Sequence, residues 1–448
     1  MFQPYVVTIP RLAKSTTIWA IYASRFKVKL RSQTQTLLAS FLVMQTVGRT
    51  SSMHASRLSL GRRSLSMLLT AAMLARHGQA SADIGVNGVS PSIAVNSPSE
   101  HLFDQVLASL AVTSNEPVVF SPLCLADALN LLLAGAAAET AKGLSGISAS
   151  LVNYAVRDGI PAGNDTASAL RRVTALWLAS GIQAGTEAVQ TKPLPESPDE
   201  AVRQINAWAS ENTNGLVPSI LDQLPPRSPM VVTSALHFAD KWRTAFDLED
   251  TSEAPFRLAS GQAVQVPFLH GTPVCRYMRH GSLHAVIIPY ADDDFKFLAI
   301  APAADSNPNE VLTLCRRGGL GAVLKHLKFD RSSLDPMEIV MPRFNFSFMS
   351  DLRPALMKTA LAPIFAPGAN LNRLTSTPVQ PSAVLQRVVI RVDEKGTEAA
   401  AATVVTTERN LKMLPRFVAD TPFLAVVLSK TASPVVVALV TDPSRSAT

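Results

Sequence analysis

The chain has 448 residues, 47% hydrophobic and 17% charged, which is enough apolar surface for a large core and too much for a disordered chain. Its three cysteines, Cys124, Cys275 and Cys315, are too few and too widely spaced for a disulfide framework or a metal cage. The formal charge of +7 does not point to nucleic acid: residues 1–82 hold 11 Lys/Arg and no acid, leaving 30 basic against 34 acidic groups in 83–448, a net −4, with no clustered basic face to neutralise phosphates.

The acid-free, Arg- and Ser-rich residues 1–82 read as a targeting leader outside the fold. Two readings compete. In the first, Met53 begins a signal peptide with Arg57, Arg62 and Arg63 as its basic end, residues 65–75 as its apolar stretch and Ala80-Ser81-Ala82 as its cleavage site, which implies secretion. In the second, 1–82 is an organellar transit peptide, or residues 37–47 form an earlier hydrophobic signal. No run reaches the roughly 18 apolar residues a membrane helix needs, so no span is expected. Residues 83–97, rich in Ser, Pro, Asn and Gly, suit a flexible linker, and residues 98–448 are expected to form one domain with its core starting near Leu102.

Along that domain, Ser121-Pro122 offers an N-cap followed by proline at the first helical position, and the Leu/Ala-rich stretch to Leu133 predicts a largely buried helix that Gly135 can end. Helices are also predicted around 202–210 and 351–361, the second with Pro354 tolerated only in a first turn. Phe344, Phe346 and Phe348 alternate with polar residues at period two, a half-buried strand. The apolar runs 423–428 and 435–440, joined by Ser-Lys-Thr-Ala-Ser, predict a core hairpin. Helices first and strands later give an α+β fold.

Enzyme signals are absent. There is no G-x-S-x-G elbow, no H-E-x-x-H pair and no phosphate loop, and Gly318-Gly319-Leu320-Gly321 reads as a turn. His280 and His284 stand four apart, but Gly281 weakens a helix there and no carboxylate or cysteine completes a ligand set, so no metal and no cofactor are expected. Trp177, Trp208 and Trp242 read as core fillers. Arg316, Arg317, Lys325 and Lys328 read as a solvated face. Asn164-Asp165-Thr166 is a glycosylation acceptor in a polar stretch, and Asn345-Phe346-Ser347 is another inside a predicted strand.

The informative segment begins at Arg391: R-V-D-E-K-G-T-E-A-A-A-A-T-V-V-T-T-E-R-N-L-K-M. After Gly396 come Ala399, Ala400, Ala401 and Ala402, then five β-branched residues, 403–407, whose stiff side chains favour extended backbone. In a strand the odd positions 397–407 share a small, uncharged face, while Glu398 and Glu408 fall on the other. The pattern breaks at Arg409. An edge strand, or an Ala-rich helix running into a loop, fits the spacing equally.

The stretch V-D-E-K-G-T-E-A-A-A-A-T closely resembles the hinge of inhibitory serpins, the serine-protease-inhibitor family. The resemblance extends over roughly 98–445 through V-F-S-P-L-C-L-A-D-A-L (119–129), A-G-A-A-A-E-T (134–140), I-N-A-W (205–208), S-A-L-H-F-A-D-K-W (234–242), M-P-R-F (341–344) and A-D-T-P-F-L (419–424), in serpin order. It implies three β-sheets, about eight or nine helices and an exposed reactive-centre loop, about 394–418, that baits a protease. Attack on the bait bond would form an acyl-enzyme, and the freed loop would insert into the main sheet and trap it. The implied hinge comprises Glu394, Gly396, Thr397, Glu398 and the four alanines. Counting as in the family puts Asn410 immediately before the cut and Leu411 after it; a loop one residue shorter puts the cut after Arg409, which suits a trypsin-like pocket with a carboxylate at its base. Lys412 is a more distant candidate.

The implied chain is therefore a monomeric, secreted inhibitor of a trypsin-like or subtilisin-like serine protease and not an enzyme. A non-inhibitory serpin, a carrier or chaperone-like protein without loop insertion, is the alternative. The sequence departs from the family at the gate under the main sheet. Where most serpins have a second serine after the S-P pair, an asparagine in the central strand and a histidine before the hinge, this chain has Cys124, Ser234 and Gln386 beside Ser121, so the usual geometry is not expected there, and sheet opening is faster, slower or compensated by a different network.

Overall fold

The computed structural model describes residues 97–113, 116–156, 169–185, 191–225, 227–326, 334–397 and 414–445. In chain order these form α1 (Pro98–Thr113), β1 (Val118–Phe120), α2 (Pro122–Gly135), α3 (Ala138–Gly143), α4 (Ser145–Val156), β2 (Leu170–Ala179), β3 (Thr191–Leu194), α5 (Pro198–Asn212), β4 (Met230–Phe238), β5 (Asp240–Lys241), β6 (Ser252–Arg257), β7 (Ala263–Gly271), β8 (Val274–His280), β9 (Leu283–Pro289) and β10 (Phe295–Pro302). They continue with α6 (Glu310–Arg316), α7 (Leu320–His326), β11 (Asp335–Pro336), β12 (Glu338–Pro342), β13 (Phe344–Asp351), α8 (Arg353–Leu356), α9 (Ala362–Phe365), β14 (Ala383–Val392), β15 (Gly396–Thr397), β16 (Arg416–Val418), β17 (Phe423–Ser429) and β18 (Pro434–Val440). The class is α+β, as expected.

The strands build a seven-stranded sheet, β1-β18-β17-β10-β9-β8-β11, a four-stranded sheet, β16-β12-β7-β6, and a five-stranded sheet, β13-β14-β4-β2-β3. A fourth, two-stranded piece pairs β15 with β5, which the expectation of three sheets did not include. The hairpin β17–β18 is antiparallel as read from its apolar runs.

The five-stranded sheet separates two cores. Period two turns Val232, Leu236 and Phe238 of β4, with Val384, Val388 and Ile390 of β14, into the main core, against which α2 packs. The alternate positions, Val231 and Ala235 of β4 and Ala383 and Leu385 of β14, meet Ala201, Ile205, Trp208 and Ala209 of α5 in a second cluster. Both faces of β4 are thus covered and every residue of it is buried, Thr233, Ser234 and His237 among them. Trp177 and Trp208 close the second cluster edge to face, 5.8 Å between centroids, and the Trp177 indole donates to Thr233 Oγ1 at 2.8 Å.

Some local expectations change. The first helix starts at Pro98, and Leu102 is the first residue of the main core. Of the helix expected over 351–361 only the single turn α8 forms: the Asp351 carboxylate accepts from Arg353 N and Val384 N, fixing the end of β13 and the start of that turn, and past Leu356 the Thr359 hydroxyl donates to Leu356 O and accepts from Leu361 N. His280 and His284 lie on the β8–β9 hairpin, and the Gly318 turn has φ +66°. Among the described residues no group of three His, Cys, Asp or Glu could hold a metal, and no helix is long and apolar enough to cross a membrane. Asn164 lies outside the described residues.

Candidate functional site: a gate beneath the five-stranded sheet and a seated hinge

The four gate residues come together at one point under the seam between β4 and β14. Ser121 caps α2: its side chain accepts from Cys124 N at 3.1 Å and donates to Val435 O of β18 at 2.7 Å. Gln386, on β14 and 1% exposed, reaches Ser121 with both ends of its amide. Its Oε1 accepts from Ser121 N at 2.7 Å and its Nε2 donates to Ser121 O at 3.1 Å. One glutamine side chain therefore satisfies a buried donor and adds to a buried acceptor.

Ser234 sits beside Gln386 in the β4–β14 register but does not bond to it. Its hydroxyl donates to Leu385 O at 3.4 Å, and Cys124 Sγ lies 3.9 Å from Ala235 O. Burial pushes the Cys124 thiol up to about 12, so it serves as a neutral filler and not a nucleophile. At the seam itself the contacts are unequal: β14 is tied to the start of α2 by two good hydrogen bonds, β4 by the single weak Cys124 contact, while the long Ser234 bond joins β4 to β14. One strand further out, Arg172 of β2 forms an ion pair with Asp127 of α2, whose carboxyl burial pushes up.

At the far end of the same seam is the hinge. Glu394, Gly396 and Thr397 were expected in an exposed loop; instead they are buried, Thr397 completely. Gly396 and Thr397 pair with Lys241 and Asp240, just beyond the end of β4. The Thr397 hydroxyl is 2.7 Å from the Tyr290 hydroxyl, and Tyr290 stacks on Trp242 at 4.8 Å and 3°. Trp242 holds the hinge from its other side, its indole donating to Asp393 O at 2.8 Å and its backbone N to Lys395 O at 3.0 Å. Glu394 Oε1 accepts from Thr251 Oγ1 at 2.9 Å and faces Arg343 Nη1 at 3.4 Å. Gly396 is required here: at φ +154° a Cβ would lie 2.2 Å from Asp240 O.

Beneath the hinge, Asp240 is half-buried, and desolvation pushes its carboxyl up to about 6. The other end of the expected loop is trimmed too, since Arg416–Val418 form β16 beside β12 and Phe417 is fully buried. Glu398, Ala399, Ala400, Ala401, Ala402, Arg409, Asn410 and Leu411 lie outside the described residues. Sequence reading missed Tyr290 altogether. Trp242 and Arg343 stand within the motifs S-A-L-H-F-A-D-K-W and M-P-R-F, but only their place in space assigns them to the hinge.

The model of the serpin (serine protease inhibitor) family matches residues 182–443. The chain belongs to the serpin family. This serpin is 28% identical over 351 residues to an uncharacterized serpin-like protein of Thermococcus kodakarensis, covering 71% of this chain and 78% of that one. It is 26% identical over 383 residues to Serpin-Z10 of Arabidopsis thaliana, covering 77% and 96%. An Arabidopsis serpin solved in a native stressed conformation superposes with a TM-score of 0.66 at 22% identity, covering 80% of this chain and 100% of the other. Human thyroxine-binding globulin complexed with thyroxine superposes with a TM-score of 0.66 at 19% identity, covering 78% and 98%. These likenesses establish the serpin fold. Serpins are inhibitors of serine proteases rather than enzymes.

Proposed function

We propose that this serpin is a suicide-type inhibitor of a trypsin-like serine protease, trapping it as a covalent acyl-enzyme when the cleaved loop inserts between β4 and β14. One observation carries the reading. β4 and β14 are parallel neighbours over eight residue pairs, from Ala383↔Val231 to Ile390↔Phe238, and the chain leaves β14 at the end where Thr397 already pairs beyond β4. A segment folding back from Thr397 runs antiparallel to both strands. It would exchange one parallel pairing for two antiparallel ones, the better-bonded arrangement per residue.

The chemistry belongs to the protease. Its serine hydroxyl attacks the carbonyl of Arg409, an ester forms to that residue, and the amine of Asn410 leaves with the C-terminal peptide. Insertion of the small face led by Thr397 then removes the ester from its water before hydrolysis completes. We assign the cut to Arg409 rather than Asn410 because a guanidinium pairs with the carboxylate at the base of a trypsin-like pocket. The domain acts as a monomer, and the leader directs secretion with cleavage after Ala82, which N-terminal sequencing of protein secreted by expressing cells checks.

The reading is tested by incubating the protein with trypsin and separating the products on denaturing gels. The wild type should give a band of summed mass, and mass spectrometry of the released peptide should find Asn410 as its first residue. Thr397→Arg places a charge where the hinge is fully buried and should turn the protein into a substrate, cleaved without a complex. Cleavage of the wild type without that band, repeated across trypsin-like proteases, would leave the non-inhibitory alternative.

A further inference from the structure

A polar cleft adjoins the hinge where β13, the edge of the five-stranded sheet, meets β7 and residues 443–444. Arg343 precedes β13 directly, so period two sets it on the same face as Asn345, and the β13–β14 register places Asn345 opposite Arg391. With Gln265 of β7 and Ser444 these side chains line a cleft of about 510 Å³. Its described lining offers two guanidinium groups, two amides and a hydroxyl, and no carboxylate.

The two arginines already have partners on the hinge. Arg343 Nη1 lies 3.4 Å from Glu394 Oε1 and Arg391 Nε lies 3.3 Å from Asp393 Oδ2. The carboxylates are 9% exposed, the guanidinium side chains 43% and 49%. Each ion pair engages one nitrogen of a group that carries five N–H donors, so donors remain for the cleft that both side chains line. The carboxylates have other support: Glu394 accepts from Thr251, and Asp393 Oδ1 accepts from Lys395 N at 2.9 Å and Gly396 N at 3.3 Å.

We propose that this cleft is an oxyanion site that takes one phosphate or sulfate group, free or carried on a small molecule, between Arg343 and Arg391. Paired planar guanidinium forks match a tetrahedral oxyanion, and the volume is that of a small-molecule site. The bound group draws on the same two guanidinium groups that hold the hinge, so it competes with Asp393 and Glu394 and loosens the segment from which the loop departs. By linkage, removing a hinge carboxylate must tighten the anion. The binding claim is independent of the inhibitory reading.

The test is calorimetric titration of the purified protein with inorganic phosphate, inorganic sulfate and glucose 6-phosphate at constant ionic strength, with chloride as the control. Saturable binding of phosphate or sulfate is expected, weakened about tenfold or more in R343Q/R391Q, the scale of a charge-assisted hydrogen bond, and tightened several-fold in D393N. E394Q, which keeps an acceptor for Thr251, is the second competition variant should D393N not fold. Tighter glucose 6-phosphate binding would assign the group to a small organic carrier, and equal binding to the free ion. Absence of saturable binding, or an affinity unchanged in folded R343Q/R391Q, would overturn the site; an anion affinity unchanged in both D393N and E394Q would overturn its coupling to the hinge.

Discussion

Gln386→Met tests whether one glutamine replaces the usual gate. Methionine nearly preserves the volume of glutamine and can make neither amide bond, so the change isolates hydrogen bonding from packing. Ser121 N has Gln386 Oε1 as its partner at 2.7 Å in a fully buried position, and leaving such a donor unpaired costs about 1–3 kcal/mol. Ser121 O still accepts from Leu125 N at 3.0 Å, so loss of the second bond, at 3.1 Å, costs only about 1 kcal/mol. Together they predict a loss of about 2–4 kcal/mol. Ser234→Ala removes a single 3.4 Å contact and should cost less than about 1 kcal/mol. Urea unfolding measures both, as a shift in midpoint at constant slope. A loss below about 1 kcal/mol for Gln386→Met, or a larger loss for Ser234→Ala, would refute the reasoning that β14 carries the strong side of the gate.

Tyr290→Phe leaves the buried Thr397 hydroxyl without its 2.7 Å partner; hydrogen exchange at Thr397 should quicken by roughly tenfold, the equivalent of about 1.4 kcal/mol. Gly396→Ala forces a Cβ to 2.2 Å from Asp240 O, so β15 should separate from β5, read as altered Trp242 fluorescence and new proteolysis beside Lys395. Asp104 titrates in the opposite sense to most carboxylates, because burial outweighs its bond from Gly321 N and pushes it from 3.8 up to about 7. A folded value above the unfolded one means that this group costs stability above about pH 7 and recovers it as pH falls toward about 4. Asp104→Asn should therefore stabilise the protein at pH 8 and change little at pH 4, measured by thermal unfolding at both.

The parts legible in the sequence were those decided by near neighbours. Ser121-Pro122 caps a helix through bonds three and four residues on, the 423–440 hairpin follows from two apolar runs and a five-residue turn, and β13 shows in alternating phenylalanines. The hinge was readable in composition but not in position. Small residues such as Gly396 and Thr397 suit an exposed turn and a buried edge alike, and the choice was made by Asp240 and Tyr290, the latter 107 residues away. The parallel pairing of β4 with β14 joins strands about 150 residues apart, and no local pattern states it. The same holds for Gln386, whose two bonds cross 265 residues to Ser121. The 351–361 stretch failed differently: its first turn forms as α8 with Pro354 in it, but the helix stops at Leu356, where the Thr359 hydroxyl donates to Leu356 O and accepts from Leu361 N.

The most direct test of the central claim, that the β4–β14 seam accepts the returning loop, is the stability of the domain before and after a single cut in residues 398–413. Insertion of a sixth strand replaces the one parallel β4–β14 pairing by two antiparallel pairings, a net gain of one row of main-chain hydrogen bonds, and buries the face led by Thr397, so the cleaved protein should unfold at a clearly higher temperature than the intact one, and Thr397→Arg should abolish the rise. An unchanged or lowered unfolding temperature after complete cleavage of the wild type would contradict the account.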